Sequence, residues 1–254
     1  MAEVNPSRGS EVFRILLLAD SLSFQGPLGI VSPEDQRLYP QVMATELSNT
    51  WNRPVHVHGS AREGWTARDA WWALTKDPLV FADWLPKAGA VVIGVGGMDQ
   101  LPAMVPTYLR DSLPYIRPGT LRRKVRRLYR DLTPRGIALT GGVIRQLPPQ
   151  ATARYLTRIV QAIRAIRGDI PILAMTPSPY GGDAYPSQKF HAAARVSMLE
   201  WGRRSAVDVL DLEDLVTEER IKGGSNPDGM HWGWSTHQRV GTLLAHNLMA
   251  NLTR

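Results

Sequence analysis

Two short polar stretches, far apart in the chain, hold the residue types of a nucleophilic site. The first, Asp20-Ser21, directly follows the aliphatic run "ILLLA", and the second, "NPDGMHW", carries Asp228 and His231. A serine hydroxyl becomes a nucleophile beside a general base, and a carboxylate can orient that base. In one tight turn, Asp228 can accept from His231 Nδ1–H and leave Nε2 to take the Ser21 proton. The three residues therefore form a candidate catalytic set.

Glycines in two other stretches could supply the backbone that binds the oxyanion and contacts the ligand in such a site. Gly64 stands in "GSAREGWTARDAW", just before a predicted helix, where a backbone N–H can point to a developing oxyanion. The stretch "VVIGVGGMDQLP" places Gly96 and Gly97 after an aliphatic run, and glycine there permits close approach of a ligand to the backbone. Each glycine equally suits a plain turn, so both interpretations stay open.

The elements that must position these residues form an alternating pattern of strands and helices. Short aliphatic or β-branched runs bounded by turn residues predict buried parallel strands at 13–19, 54–58, 90–95, 171–175 and 207–212. Helical patterns lie between or after them at about 32–49, 66–76, 150–167, 187–204 and 235–252. Such alternation predicts a doubly wound α/β sheet, whose ligands bind at the carboxyl ends of the strands. Ser21, Gly64, Gly97 and His231 all follow predicted strands and should meet there.

Two of the helices have start signals in the sequence. Ser32 followed by Pro33 is typical of an N-cap with proline at the first helical position, so the first helix is predicted to begin there. Thr66 is the predicted cap of the second helix.

A stretch of about 75 residues separates the third and fourth strands, which is far more than a crossover helix needs. Its first part carries four prolines, which exclude one long regular helix over residues 98–120. We interpret residues 1–254 as a single α/β domain with a Pro-rich and basic insertion at about 98–148. This insertion is predicted to pack over the carboxyl end of the sheet.

The basic character of the chain is local. The net charge is +7, and residues 121–135 alone hold seven Lys or Arg and one Asp, a balance of +6. Such a cluster indicates an anionic ligand, and its candidate residues are Arg122, Arg123, Arg126 and Arg127. A solvated helix face or a nonspecific nucleic-acid contact would give the same pattern.

Composition excludes several other classes of site. The chain has no cysteine, so disulfides, thiolate metal sites and a cysteine nucleophile are ruled out. His56 and His58 share one face of a predicted strand, but no carboxylate partner accompanies them, and we predict no metal site. No apolar run approaches the ~18 residues of a membrane span. We expect a cytoplasmic protein without a bound cofactor.

In this order and spacing, the four stretches resemble the sequence blocks of the SGNH (GDSL-like) hydrolase superfamily. The Gly-Asp-Ser-Leu, glycine, Gly-x-Asn-Asp and Asp-x-x-His blocks of that family match Ala19-Asp20-Ser21-Leu22, Gly64, Gly96-Gly97-Met98-Asp99 and Asp228 to His231. The resemblance covers the whole chain. It implies a flavodoxin-like three-layer sandwich with strand order 2-1-3-4-5, and serine-dependent acyl-ester chemistry with the oxyanion bound by the backbone N–H groups of Ser21 and Gly64.

One departure from the family pattern changes the expected chemistry. Met98 stands where the family has an asparagine that donates to the oxyanion, and methionine cannot donate a hydrogen bond. Its apolar, adaptable side chain suits a site that holds a fatty acyl chain and keeps water out. With the "GGMDQLP" segment and the Pro-rich insertion, this residue makes the chain resemble the actinobacterial octanoyltransferases that acylate diglucosylglycerate.

That narrower resemblance implies octanoyl transfer from a coenzyme A or carrier-protein thioester to a sugar hydroxyl, on the pathway to methylglucose lipopolysaccharides. Two alternatives stay open: an esterase or thioesterase for short to medium acyl chains, and a catalytically weak carbohydrate- or nucleic-acid-binding module. The expected partners are a small carbohydrate acceptor and an acyl donor, with octanoyl-CoA as the donor and nucleic acid disfavoured. The candidate substrate-binding residues are Asp20, Trp65, Gly97, Met98, Asp99 and Trp232.

Overall fold

The computed structural model describes residues 12–105 and 107–252 of the chain. The strands within these residues are β1 Phe13–Ala19, β2 Gln25–Gly26, β3 Gly29–Ile30, β4 Val55–Ala61, β5 Ala90–Gly94, β6 Pro102–Ala103, β7 Ile144–Arg145, β8 Ile172–Met175 and β9 Asp208–Leu210. The helices are α1 Tyr39–Trp51, α2 Ala67–Lys76, α3 Leu85–Lys87, α4 Thr107–Ser112, α5 Gly119–Thr140, α6 Pro149–Arg167, α7 His191–Ser205, α8 Glu213–Ile221 and α9 Trp234–Leu252.

The central sheet is parallel and has the strand order β4-β1-β5-β8-β9. Numbered along the chain, this order is 2-1-3-4-5, so the predicted flavodoxin-like architecture is confirmed. Ala19 at the end of β1 pairs with Ala61 on one side and with Gly94 on the other. The carboxyl ends of the three strands are therefore level, and the loops that follow them meet at one edge.

Helices cover both faces of this sheet. Leu16 and Leu18 of β1 pack in a cluster with residues of α2, α6 and α7, whereas Ile15 and Leu17 pack in a second cluster with residues of α1, α8 and α9. All four side chains are at most 1% exposed. Because strand side chains alternate between faces, one continuous aliphatic run supplies both cores. Burial of each such side chain contributes about 1.5–3 kcal/mol.

The predicted helix starts differ in outcome. Thr66 precedes α2 as expected, and its N–H donates to the Asp69 carboxylate at 2.9 Å. The predicted start of the first helix at Ser32 is wrong, since residues 32–38 form turns and α1 begins at Tyr39. Pro40 gives the reason: a proline in the helix interior lacks the N–H donor and clashes with the preceding turn, so it is tolerated only in the first turn.

The segment 98–148 leaves the sheet after β5 and returns before α6. Its ends are fastened together by the antiparallel pairing of β6 with β7, and Leu147 N–H donates to Asp99 C=O at 3.0 Å. Between these ends, α4 and the 22-residue α5 are separated by a turn that contains Pro114 and Pro118. Within the part of the chain that is described, no helix combines the length and apolar character needed to cross a bilayer.

Candidate active site

A tight turn at the end of β1 presents Ser21. Asp20 caps the 3-10 turn Ser21–Ser23, accepting from Leu22 N–H through Oδ1 at 3.0 Å. The Asp20 carbonyl also accepts from the Ser23 hydroxyl at 2.8 Å. These bonds fix the backbone on both sides of Ser21, whose side chain lies at the base of a cleft and is 5% exposed as a residue.

A second turn, well ordered by its own side chains, presents the histidine. Asp228 accepts through Oδ1 from the N–H groups of Met230 and His231, at 2.8 and 3.0 Å. Asp228 N–H donates in turn to Asn226 Oδ1 at 3.0 Å, and the amide of buried Asn226 donates to Gly26 C=O. Gly229 adopts a φ of +69°, a left-handed conformation that glycine accepts without strain.

The two turns meet in a continuous hydrogen-bonded chain of three side chains. His231 Nε2 lies 2.8 Å from Ser21 Oγ, and His231 Nδ1 lies 2.5 Å from Asp228 Oδ2. With the Nδ1–H donating to the carboxylate, Nε2 is the acceptor for the serine hydroxyl proton. The structure thus brings together the three residues that the sequence singled out, in the geometry of a nucleophile, a base and an orienting acid.

The Asp228 carboxyl is ionised in this arrangement. Partial burial opposes the charge, but hydrogen bonds from the His231 backbone and imidazole and from Met230 N–H outweigh it and hold the Asp228 pKa below its ordinary value. An ionised carboxylate fixes the tautomer and stabilises the imidazolium that forms during proton transfer.

The N–H groups of Ser21 and Gly64 are the predicted oxyanion donors. Gly64 lines the same cleft, with a φ of +72°. Neither Ser21 N–H nor Gly64 N–H donates to a protein acceptor within the described residues, so both are available to donate to an oxyanion. The Met98 side chain lies beside Gly64, with Cε 3.9 Å from the position that a Cβ on Gly64 would occupy. Met98 therefore brings an apolar surface to the segment that carries Gly64.

The cleft around these groups has a volume of about 350 Å³. It is lined by Asp20, Ser21, Leu22, Glu63, Gly64, Gly97, Met98, Leu101, Arg110, Ser178, Tyr180, Ala184, Tyr185, Asp228, Met230 and His231. The volume lies in the range of small-molecule sites, and the mixture of apolar walls with a few polar groups is typical of them.

One wall of the cleft holds residues that sequence reasoning missed. Arg110 Nη1 donates to Gln146 Oε1 at 2.5 Å, and Gln146 Nε2 donates to the Tyr185 hydroxyl at 3.1 Å. Gln146 is 4% exposed and links a cation of α4 to the loop after β8. Arg110 lies on the short helix α4, and Gln146 and Tyr185 lie outside the regular helices, so no sequence periodicity marks these residues and only their positions in the fold reveal them.

Asp20, Gly97 and Met98 line the cleft, as expected for substrate-binding candidates, but Asp99 does not. Its carboxylate accepts from Ala67 N–H at 3.0 Å and from the Thr152 hydroxyl at 2.8 Å, so it joins α2 to α6. Asp99 is a packing residue because both of its oxygens are directed to protein donors. Burial raises the pKa of Asp20 to about 7 and that of Asp99 to about 6.

The two tryptophan candidates also lie outside the cleft. Trp232 is 2% exposed, and its indole N–H donates to Ser178 Oγ at 2.9 Å, so it supports the cleft wall from behind. Trp65 lines a separate groove on the far side of the segment that carries Gly64. The direction of each ring depends on tertiary packing. A position next to a motif residue in the sequence does not determine it.

The arginine patch lies on α5. Arg122 donates to Pro114 C=O at 3.0 Å, whereas Arg123, Arg126 and Arg127 are exposed. None of the four lines the cleft, so the cationic side chain in the cleft wall is Arg110 instead. An anion-binding role for the patch stays a prediction.

Comparison with known sequences places the chain among acyltransferases. No family model matches it. The chain is 42% identical over 233 residues to a diglucosylglycerate octanoyltransferase of Mycolicibacterium hassiacum, covering 91% of this chain and 92% of that protein. It is 39% identical over 231 residues to a diglucosylglycerate octanoyltransferase of Mycobacterium tuberculosis, covering 91% and 90%.

Two solved structures share the architecture of the chain at low sequence identity. The chain resembles a lipase/acylhydrolase from Enterococcus faecalis with a TM-score of 0.61 and 16% identity, covering 94% of this chain and 96% of that one. It resembles an aryl esterase of M. smegmatis with a TM-score of 0.58 and 15% identity, covering 94% and 99%. At this identity, the likeness shows a shared fold.

Proposed function

Because this chain belongs to the family of diglucosylglycerate octanoyltransferases, acyltransferases with the SGNH hydrolase fold, we propose that it transfers an octanoyl group to a sugar hydroxyl of diglucosylglycerate. The proposed donor is octanoyl-CoA or an octanoyl-carrier thioester, and the proposed pathway is methylglucose lipopolysaccharide biosynthesis. The observation that carries the chemistry is the contact of Ser21 Oγ with His231 Nε2 at 2.8 Å, backed by Asp228.

In the first half-reaction, Ser21 Oγ attacks the carbonyl carbon of the thioester while His231 Nε2 takes the hydroxyl proton. The carbonyl oxygen becomes an oxyanion and accepts from the N–H groups of Ser21 and Gly64. When the intermediate collapses, the C–S bond breaks and the protonated His231 gives its proton to the leaving thiolate. The products are a thiol and an octanoyl ester on Ser21.

In the second half-reaction, a sugar hydroxyl enters the place left by the thiol. His231 takes its proton as the oxygen attacks the ester carbonyl, and the same backbone donors hold the oxyanion. Collapse breaks the bond to Ser21 Oγ, which recovers its proton from His231. The sugar leaves as its octanoyl ester, and the protein returns to its starting state.

The walls of the cleft fit this pair of substrates. Met98, Leu22 and Leu101 give the acyl chain apolar contacts, and Arg110 can pair with the carboxylate that a glycerate acceptor carries. The apolar Met98 beside the oxyanion donors also reduces the polar surface that would hold a water molecule near the ester. We further propose that residues 1–254 form one domain, in which an insertion at about 98–148 supplies Arg110 to the cleft.

Hydrolysis is the second candidate, and it uses the same machinery with water in place of the sugar. The Asp228 side chain is 41% exposed, so solvent reaches the acid–base pair at the edge of the cleft. Incubation with octanoyl-CoA separates the two outcomes. Transfer predicts octanoylated diglucosylglycerate and slow release of octanoate without the sugar. Equal octanoate release with and without the sugar would contradict it.

The nucleophile is tested by mass spectrometry of the intact protein. After brief exposure to octanoyl-CoA without acceptor, we expect a mass increase of one octanoyl group on the wild type and none on Ser21→Ala. Ser23→Ala is the matched control, because that hydroxyl lies two residues away and donates to the Asp20 carbonyl. Acylation of the Ser21→Ala protein would show that another residue carries the acyl group.

A further inference from the structure

A groove separate from the catalytic cleft runs along α2 and the edge strand β4. Its volume is about 670 Å³, within the range of cofactor sites. The lining includes three tryptophans, Trp65, Trp72 and Trp84, with Arg62 and Lys76 among the remaining side chains. Apart from Trp65, a candidate substrate-binding residue, the groove side chains have no part in the proposed catalytic steps.

One short segment forms the wall between the groove and the cleft. Glu63 and Gly64 line the cleft, whereas Arg62 and Trp65 on either side of them line the groove. A ligand in the groove is therefore separated from the oxyanion donor Gly64 by a single chain segment. A molecule with a bulky head and a long flexible arm can occupy the groove with its head and place the end of its arm in the cleft.

The aromatic groups of the groove are accessible. Trp72 is 43% exposed, which is unusual for so large an apolar side chain, and Trp65 and Trp84 are partly exposed. His58 stacks on Trp84 with a centroid distance of 5.2 Å, which covers one face of that indole. Two cations lie over the Trp72 indole, with the Arg68 guanidinium 4.8 Å and Lys76 Nζ 5.2 Å from its centroid. Lys76 is exposed and has a flexible stem, so when it pairs with a phosphate it leaves its face of the indole for a planar heterocycle to stack on.

The acids and the cations of the groove contact different partners. Asp69 accepts from Thr66 N–H and the Thr66 hydroxyl, and Asp77 accepts from Leu79 N–H at 3.0 Å. Both acids are thus used in capping the backbone. The cations Lys76 and Arg62 instead lie beside indole rings, at 5.2 Å from the Trp72 centroid and 5.8 Å from the Trp65 centroid. The groove lining thus combines aromatic surface with two cations, and its two acids are held by capping hydrogen bonds.

We propose that this groove binds the nucleotide part of a coenzyme A thioester donor. The adenine ring stacks on Trp72, the phosphates pair with Lys76 and Arg62, and the pantetheine arm passes over residues 62–65 to bring the thioester to Ser21. This inference rests on the proposed acyl transfer and adds the donor subsite. A neutral sugar also stacks on tryptophan, but it carries no charge to pair with the two cations, and a charge-assisted bond to phosphate is stronger than a hydrogen bond to a hydroxyl.

Two acyl donors test the subsite. Trp72→Ala and Lys76→Ala are each measured with octanoyl-CoA and with p-nitrophenyl octanoate, which has no nucleotide. Both side chains are exposed, so their removal leaves the core intact. Because stacking of a base on an aromatic side chain has a substantial effect on affinity, we expect the KM for octanoyl-CoA to rise about tenfold in Trp72→Ala, with kcat nearly unchanged. Turnover of p-nitrophenyl octanoate should not change.

The matched control is Arg123→Ala, which removes an exposed cation of α5. An increase in the octanoyl-CoA KM in this variant, with none in the groove variants, would place the donor on α5 and overturn the inference. An unchanged KM in all three variants would overturn it as well. If the wild type turns over neither donor, the proposed function fails instead, so the two failures are distinguishable.

Direct binding gives a readout that is independent of catalysis. Titration of the wild-type protein with ADP should quench its tryptophan fluorescence, and Trp72→Ala should lose most of this response. Maltose serves as the neutral sugar. Quenching by maltose and not by ADP would show that the groove is a carbohydrate site and would contradict a nucleotide subsite.

Discussion

Replacing Asp20 by asparagine should make the protein more stable at neutral and alkaline pH. Burial raises the pKa of this carboxyl from its ordinary value of 3.8 to about 7. Between these two values the folded state binds the proton more readily than the unfolded state, so stability falls as the pH rises and levels off above the folded pKa. Asparagine keeps an acceptor for Leu22 N–H and carries no charge to bury.

The magnitude follows from the size of the pKa difference. A difference of about three pKa units corresponds to a total loss of ~4 kcal/mol in the free energy of unfolding. At pH 5 the unfolded carboxyl is already mostly ionised, so about 3 kcal/mol of the cost falls between pH 5 and pH 8. The pKa of Asp99 is also raised, but Asp99 is present in both the wild type and Asp20→Asn, so it does not affect the difference in their unfolding free energies.

Urea unfolding at pH 5 and pH 8 measures this effect. The free energy of unfolding of Asp20→Asn, relative to the wild type, should increase by about 3 kcal/mol between the two pH values. Asp35→Asn is the control, because Arg37 lowers the Asp35 pKa to about 2, and that carboxyl is ionised at both pH values in the folded and unfolded states. A difference between Asp20→Asn and the wild type that does not depend on pH would refute the reasoning.

Three further substitutions test the catalytic cleft. Asp228→Asn should lower kcat for octanoyl-CoA by about 10⁴-fold, because the imidazole then adopts the wrong tautomer, while unfolding at neutral pH changes little. Met98→Asn adds a donor beside Gly64 and should raise the hydrolysis of p-nitrophenyl octanoate, by up to about 100-fold; an unchanged rate would show that the side chain does not reach the oxyanion. Gly64→Ala has space for its Cβ, but its φ of +72° should cost about 1–2 kcal/mol in urea unfolding and reduce turnover.

Much of the fold is determined by local sequence patterns. The aliphatic run predicts β1 with the bounds that the structure has, and the Thr66 cap marks the start of α2. Such signals succeed because burial on both faces of a parallel sheet demands continuous apolar residues. The predicted start of α1 at Ser32 failed because a local cap signal was outweighed by Pro40, eight residues further along.

The sequence also indicated the chemistry of the site, through residue types alone. Serine, histidine and aspartate together supply a nucleophile, a base and an orienting acid, and a parallel α/β sheet collects such residues at the carboxyl ends of its strands. Arg110 and Tyr185 had no such signal, because one lies on the short helix α4 and the other in a loop, and their positions depend on contacts such as that of Gln146 with both side chains.

The sequence by itself determined the layered α/β architecture and the candidate set Ser21, His231 and Asp228, because strand periodicity and reactive residue types are local properties. Only the tertiary structure decided which side chains share the cleft. It turned Asp99 toward Ala67 and Thr152, placed Trp65 in the neighbouring groove, and left the arginines of α5 outside the cleft wall. The direction of a side chain depends on what packs against it, and those neighbours are distant in the chain.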